Sequence, residues 1–320
     1  MLLLLHLSGE HPTLPFSELS CLGNQVWCGP QVARVDCPEP ETARRLALSH
    51  RVLEFLGECE ATDEALRQLL RDLSLRSPVP FAARVTRVEG SSNKSPAPIL
   101  EKMMGSYISG PVSLREPERE FRALFTGNKC YLGRTLFRID RGSFDKRNPG
   151  KREFFHPGVM MPRIARALVN ISGVLQGGRL LDPFCGTGGI LLEASLLGAN
   201  PVGGDSDLMM VKGSAKNLGD RADLILGDAT RMPISDETVD SVVTDLPYGQ
   251  SVRITAGSID QLYSGAIGEI RRVLRPGKRA VIVTRCDIRH VAGGLLTVEE
   301  LHAQRVHKSL TRWILVARKI

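Results

Sequence analysis

Residues 182–189 read Asp182-Pro183-Phe184-Cys185-Gly186-Thr187-Gly188-Gly189, after the apolar run 179–184 and ahead of a helical pattern at 189–197. A strand that runs through a glycine-rich turn into a helix brings backbone close to a ligand. Glycine accepts angles that other residues avoid, and a helix start offers free N–H groups. The turn lacks the G-x-G-x-x-G of a dinucleotide site, and no P-loop lysine follows. Around it the chain alternates. Strands are predicted at 202–205, 224–226, 239–245, 280–284 and 310–317, with helices at 161–171, 208–218 and 259–274. Such spacing predicts a mostly parallel sheet with helices on both faces and a ligand at the carboxyl ends of its strands.

The ends of those strands carry acids. Asp205 closes the second strand, where a carboxylate accepts hydrogen bonds from a ribose diol. Asp228, followed by Ala229, closes the third, where a carboxylate can meet an adenine amino group. Each aspartate alone reads equally well as a turn or cap residue, but three in register behind a glycine-rich turn favour a ligand site. The fourth strand ends in Thr244-Asp245-Leu246-Pro247-Tyr248-Gly249. An exocyclic base amine is a poor nucleophile because its lone pair is delocalised into the ring. A site that alkylates it needs a carboxylate and carbonyls to accept its hydrogen bonds and an aromatic ring to hold the base plane. Asp245, Pro247 and Tyr248 supply that set.

Upstream, the first sixty residues read β-α-β-β-α-β, a ferredoxin-like split unit with a Gly29-Pro30 hairpin. A second unit opens with Thr62-Asp63-Glu64 ahead of Leu66, Leu69, Leu70 and Leu73, as a capped amphipathic helix should. It continues with a strand at 81–88, a helix at 98–108 and two strands around Gly127-Asn128. Charge then concentrates: the chain carries +7 in all, and residues 134–166 alone carry +6. The centre, 141–152, is rich in Gly, Pro and Asn and reads as a basic linker. Arg141, Lys146, Arg147, Lys151 and Arg152 there are candidates for contacts to a nucleic-acid backbone, since clustered cations release counterions on binding.

With 42% apolar and 24% charged residues, neither a disordered nor a fibrous chain fits. The longest apolar run, Met1 to Leu5, is far short of a membrane span. Seven cysteines without C-x-x-C spacing argue against a structural metal and suit a reducing cytoplasm.

The segments 182–189 and 245–249 resemble the cofactor motif and the D/N-P-P-Y motif of class I S-adenosylmethionine-dependent amino methyltransferases. Residues 152–170, Arg-Glu-Phe-Phe-His-Pro-Gly-Val-Met-Met-Pro-Arg-Ile-Ala-Arg-Ala-Leu-Val-Asn, are similar to the entry to the catalytic domain of the THUMP-domain tRNA guanine-N2 methyltransferases, which act on guanosine 10. The resemblance implies a ferredoxin-like domain (1–61), a THUMP domain (62–140), the basic linker (141–156) and a seven-stranded Rossmann-like methyltransferase domain (157–320). It places Asp182, Phe184, Gly186, Thr187 and Gly188 at the methionine end of S-adenosylmethionine, Asp205 on its ribose, and Asp228 with Ala229 on its adenine. His156, Pro157 and Met161 would cover the cofactor, and Asp245, Pro247 and Tyr248 would form the base pocket. Leu246 stands where the family has its first proline, which leaves the rigidity of that loop and the exact target guanosine open. One or two methyl groups, and a small zinc-binding activator subunit as in some relatives, are both compatible with the resemblance. Competing readings are a tRNA guanosine in the acceptor stem, a DNA adenine-N6 methyltransferase, and a non-catalytic tRNA-binding protein on a relic fold.

Overall fold

The computed structural model describes residues 1–248, 259–307 and 310–320, which fall into two units, Met1–Asp140 and Arg141–Ile320. Gly249, the end of the motif after the fourth strand, lies outside the described residues.

The first unit comprises β1 (Leu2–Leu7), α1 (Leu14–Glu18), β2 (Gln25–Gly29), β3 (Val32–Asp36), β4 (Ser49–Glu60), α2 (Asp63–Leu73), β5 (Phe81–Arg87), α3 (Ala97–Tyr107), β6 (Arg119–Thr126) and β7 (Lys129–Arg138). Its strands form one sheet in the order β2-β3-β1-β4-β7-β6-β5. The first four are mutually antiparallel, as a ferredoxin-like unit requires. The second helix of the β-α-β-β-α-β order is a 3-10 helix, Pro40–Arg45. β4 is twelve residues long and pairs with both β1 and β7, so the strands on either side of residue 61 share a sheet. Leu3, Leu5 and Leu7 enter one core and Leu4 another, which explains an apolar run with no alternation. α2 starts as its sequence demands, with Thr62 Oγ1 accepting the Ala65 N–H.

The second unit comprises α4 (Gly142–Asp145), α5 (Pro162–Ile171), β8 (Arg179–Asp182), α6 (Gly189–Ser195), β9 (Asn200–Asp205), α7 (Leu208–Leu218), β10 (Asp223–Leu226), β11 (Val239–Asp245), α8 (Ile259–Val273), β12 (Leu274–Thr284), α9 (Arg289–Ala292), β13 (Thr297–His307) and β14 (Leu310–Arg318). The sheet order is β10-β9-β8-β11-β12-β14-β13. Its first five strands are parallel; β14 runs antiparallel to β12 and β13. Val242, Ile267, Leu274, Ile282 and Leu315 centre the core between this sheet and α8. β13 was not expected. It is an edge strand with a largely polar sequence, so no period of two announces it.

The segment read as a basic linker has structure of its own. It folds into α4 and a 3-10 turn, Pro149–Lys151, and buries Phe144 and Pro149. The guanidinium groups of Arg147 and Arg166 stand over the Phe144 ring, 4.7 and 5.8 Å from its centroid.

Candidate active site

The turn after β8 is held from several sides. Gly186 and Gly188 have φ of +51° and +77°. A Cβ on Gly188 would lie 2.4 Å from Ser214 Oγ, whereas one on Gly186 would meet no atom within 4 Å. Glycine is needed at the first for packing against α7 and at the second for backbone angle alone, which leaves open space above Gly186. Asn217 on α7 ties the turn to the preceding segment: its Nδ2 donates to the carbonyls of Thr187 and Phe154, and its Oδ1 accepts the Phe154 N–H.

Asp182 is buried at the end of β8, with Oδ1 accepting from Thr244 Oγ1 at 2.7 Å and the Phe184 N–H at 3.2 Å. Burial pushes its carboxyl up to about 7; those two donors oppose the shift. Asp205 Oδ2 accepts the Gly186 N–H at 3.0 Å and Oδ1 accepts the Asp207 N–H at 2.9 Å. Burial raises its pKa as well. Each Asp205 oxygen keeps a second lone pair for a hydroxyl. Beside it a cleft opens between Pro183, Gly204, Ile225, Asp228, Ala229 and Met232. Its apolar walls with one carboxylate at the rim suit a flat heteroaromatic ring, and Thr187 Oγ1 in the adjoining turn is buried without a partner among the described residues. These residues therefore fit the cofactor that the sequence implies.

The loop after β11 forms the other half of the site. Tyr248 Oη donates to Asp245 Oδ1 at 2.6 Å, and Arg312 Nε donates to Tyr248 Oη at 3.1 Å. Arg312 Nη2 lies 3.6 Å from Asp245 Oδ2 and donates to the Gly158 carbonyl at 3.2 Å. Burial pushes the Asp245 carboxyl up to about 6, against the opposing pull of Arg312 and the Tyr248 hydroxyl. Burial and the neighbouring carboxylate also raise Tyr248. The Pro247 carbonyl accepts the Tyr263 hydroxyl at 2.7 Å. Leu246 is buried in the core, and its N–H donates to the Val283 carbonyl at 2.9 Å. A leucine here anchors the loop by a side chain and by an N–H that a proline would lack.

The structure thus brings Asp182, Gly186, Thr187, Gly188, Asp205, Asp228 and Ala229 to the carboxyl ends of β8, β9 and β10, with Asp245, Pro247 and Tyr248 at the end of β11. Phe184 is half-buried in the same turn. His156, Pro157 and Met161 are exposed on the stretch leading to α5, which is joined to Arg312 on β14 through the neighbouring Gly158. Among the candidate RNA residues, Arg141 is half-buried, and Arg147 and Arg152 are engaged inside the unit. Arg147 pairs with the fully buried Glu193 at 2.7 and 3.2 Å, and Arg166 reaches the same carboxylate at 2.8 Å. Arg152 donates from Nε to the Arg147 carbonyl; its terminal nitrogens are buried, with Nη1 3.0 Å from where a Cβ on Gly189 would stand. Lys146 and Lys151 are exposed. Tyr248 contributes its hydroxyl as well as its ring, because that hydroxyl donates to Asp245. Arg312, Asn217, Thr244 and Tyr263 were not expected in the site. Arg312 alone left a trace in the sequence, as a cation interrupting an apolar strand.

Among the described residues, no group of three or more His, Cys, Asp or Glu is placed to hold a metal ion, and no helix is long and apolar enough to cross a membrane.

Sheet order, glycine turn and strand-end acids together define a class I S-adenosylmethionine-dependent methyltransferase fold. Residues 149–314 match the family described as UPF0020, RMKL-like, methyltransferase domain. Over 98% of both chains this protein is 33% identical to the tRNA (guanine(10)-N2)-dimethyltransferase of Methanothermobacter thermautotrophicus, and over 98% of this chain and 99% of the other it is 28% identical to that of Methanocaldococcus jannaschii. The crystal structure of TrmN from Thermus thermophilus shares the fold over the whole of both chains, with a TM-score of 0.54 and 20% identity. The chain belongs to the tRNA (guanine(10)-N2)-dimethyltransferase family of UPF0020 methyltransferases.

Proposed function

We propose that this enzyme uses S-adenosylmethionine to methylate the exocyclic N2 of guanosine 10 in tRNA, adding one methyl group and then a second. The observation that carries the reading is Asp245, a half-buried carboxylate with one oxygen capped by Tyr248 and the other, among the described residues, without a hydrogen-bond donor, at the same sheet edge as the cofactor cleft. The relatives' names support the substrate and the second methyl group.

The cofactor supplies an electrophilic methyl group on a sulfonium. Asp205 and the Gly186 turn would hold its ribose and methionine end, and Asp228 with Ala229 its adenine. Asp245 Oδ2 would accept a hydrogen bond from the guanine amine, draw its nitrogen into line and take up the N–H proton released as the new C–N bond forms, passing it on to solvent. The sulfonium sulfur would keep the S–C electron pair. The Pro247 carbonyl, pinned by Tyr263, and the Tyr248 ring fix the plane of the base. Positioning supplies most of the rate. The intact carboxylate and its donors favour this reading over a non-catalytic relic.

The unit Met1–Asp140 would grip the tRNA, as a ferredoxin-like part (1–61) followed by a THUMP part (62–140), with the exposed Lys146 and Lys151 on the phosphate path. Unpaired cysteines throughout support a cytoplasmic setting.

The test is to incubate pure protein with labelled cofactor and a tRNA transcript, digest, and identify the labelled nucleoside. N2-methyl- and N2,N2-dimethylguanosine that disappear when guanosine 10 is replaced by adenosine are expected. Label in an acceptor-stem guanosine, or none, would overturn the assignment.

A further inference from the structure

Resting on that reading of the β11 loop, we propose that Arg312 is a positioning residue for Asp245. It fixes the direction of the Tyr248 hydroxyl and keeps Asp245 Oδ2 charged and open toward the amine. The topology puts it there. Asp245 pairs with Val283 on β12, Val283 pairs with Ile314 on β14, and Arg312 sits two residues earlier on the same strand face. Because β14 is antiparallel, its beginning lies at the carboxyl edge of the parallel strands.

The donor and acceptor roles allow one arrangement. A guanidinium only donates, so the Arg312 Nε bond occupies a lone pair of the Tyr248 oxygen and leaves the phenolic proton for Asp245 Oδ1. Nη2 is directed at the Gly158 carbonyl. At 3.6 Å it is beyond hydrogen-bond range of Asp245 Oδ2, so it contributes charge without filling that oxygen's lone pairs. Arg312 is itself 6% exposed, which keeps the interaction poorly screened. The other titratable groups facing Asp245 are Tyr248 on its own loop, Tyr263 on α8, whose hydroxyl is engaged by Pro247, and Asp182 at the end of β8, a carboxyl held by Thr244 and Phe184. Arg312 is the cation among these described groups.

Two measurements on the full chain test this. Carboxyl carbon-13 NMR of aspartate-labelled protein, with the Asp245 signal assigned through Asp245→Asn, follows that group without substrate. Its midpoint should rise by about one pH unit or more in Arg312→Met, as loss of an adjacent opposite charge predicts, and return toward the wild-type value in Arg312→Lys. Single-turnover methylation of tRNA should show the same displacement of its acid limb. The plateau rate should drop at least about tenfold in both variants, because lysine restores charge but not the two-pronged hydrogen bonding. Cofactor affinity by calorimetry should stay within about twofold of wild type. An unmoved Asp245 midpoint in folded Arg312→Met overturns the proposal. A moved midpoint in a protein that leaves guanine N2 unmethylated retains the positioning role and rejects the assigned substrate.

Discussion

Two loops at one sheet edge each hold a desolvated aspartate and solve the problem differently. After β8, Asp182 is satisfied by a hydroxyl and a backbone amide, neutral donors supplied within the sheet and turn. After β11, Asp245 is satisfied by a phenol on its own loop and a cation delivered from β14. The first arrangement tolerates a carboxyl pushed up to about 7, because its hydrogen bonds shape a turn and need no negative charge. The second must keep an anion at the point where an amine has to be held, and only a full charge opposes the desolvation strongly enough. Burial of a carboxylate therefore does not by itself mark the reacting group; the nature of its partner does.

The sharpest way to break this comparison is Asp245→Ala. Turnover should fall at least about a hundredfold, or about 2.7 kcal/mol, while cofactor binding persists, and a loss confined to KM would remove Asp245 from the chemistry. Next in size is Arg147→Ala, which leaves buried Glu193 with Arg166 alone and should cost about 2–3 kcal/mol in denaturant unfolding. A variant as stable as wild type that binds tRNA poorly would return Arg147 to the RNA face. The Asp182 loop predicts a pH effect. The folded-state pKa lies above the unfolded one, so the native state holds the extra proton and stability should decline as pH rises from about 4 to about 7, by at least about 1 kcal/mol. Asp182→Asn should flatten that slope in thermal melts. Asp205→Ala should weaken S-adenosylmethionine binding more than about tenfold, near 1.4 kcal/mol, in calorimetry. The smallest effect is electrostatic. With Arg147 and Arg152 engaged inside the unit, changing Lys146 and Lys151 together to Ala should lower the log–log salt slope of tRNA binding by about one to two.

The cofactor side was legible because it is local. Asp182 to Gly189, Asp205 and Asp228 lie within short strand-turn-helix repeats, and each residue's role follows from its place at a strand end. The base side was legible only along its own loop. Arg312 reaches Tyr248 across the sheet, and a strand order set by the antiparallel β14 cannot be read from spacing. The basic stretch misled for a different reason. A charge count treats Arg147 and Lys146 alike, yet one faces Glu193 inside the fold and the other faces water. Leu246 looked like a weakened loop residue because its value lies in an N–H and a core contact, neither of which a motif displays.

The Arg312–Tyr248 bond joins residues 64 positions apart and depends on the strand that closes the sheet between β12 and β13. A ribosome would finish the glycine turn and its acidic neighbours well before it delivers this guanidinium. A nascent chain could gather the groups that bind cofactor while its reacting carboxylate still lacks a counterion, so chemical competence follows cofactor binding in the order of synthesis.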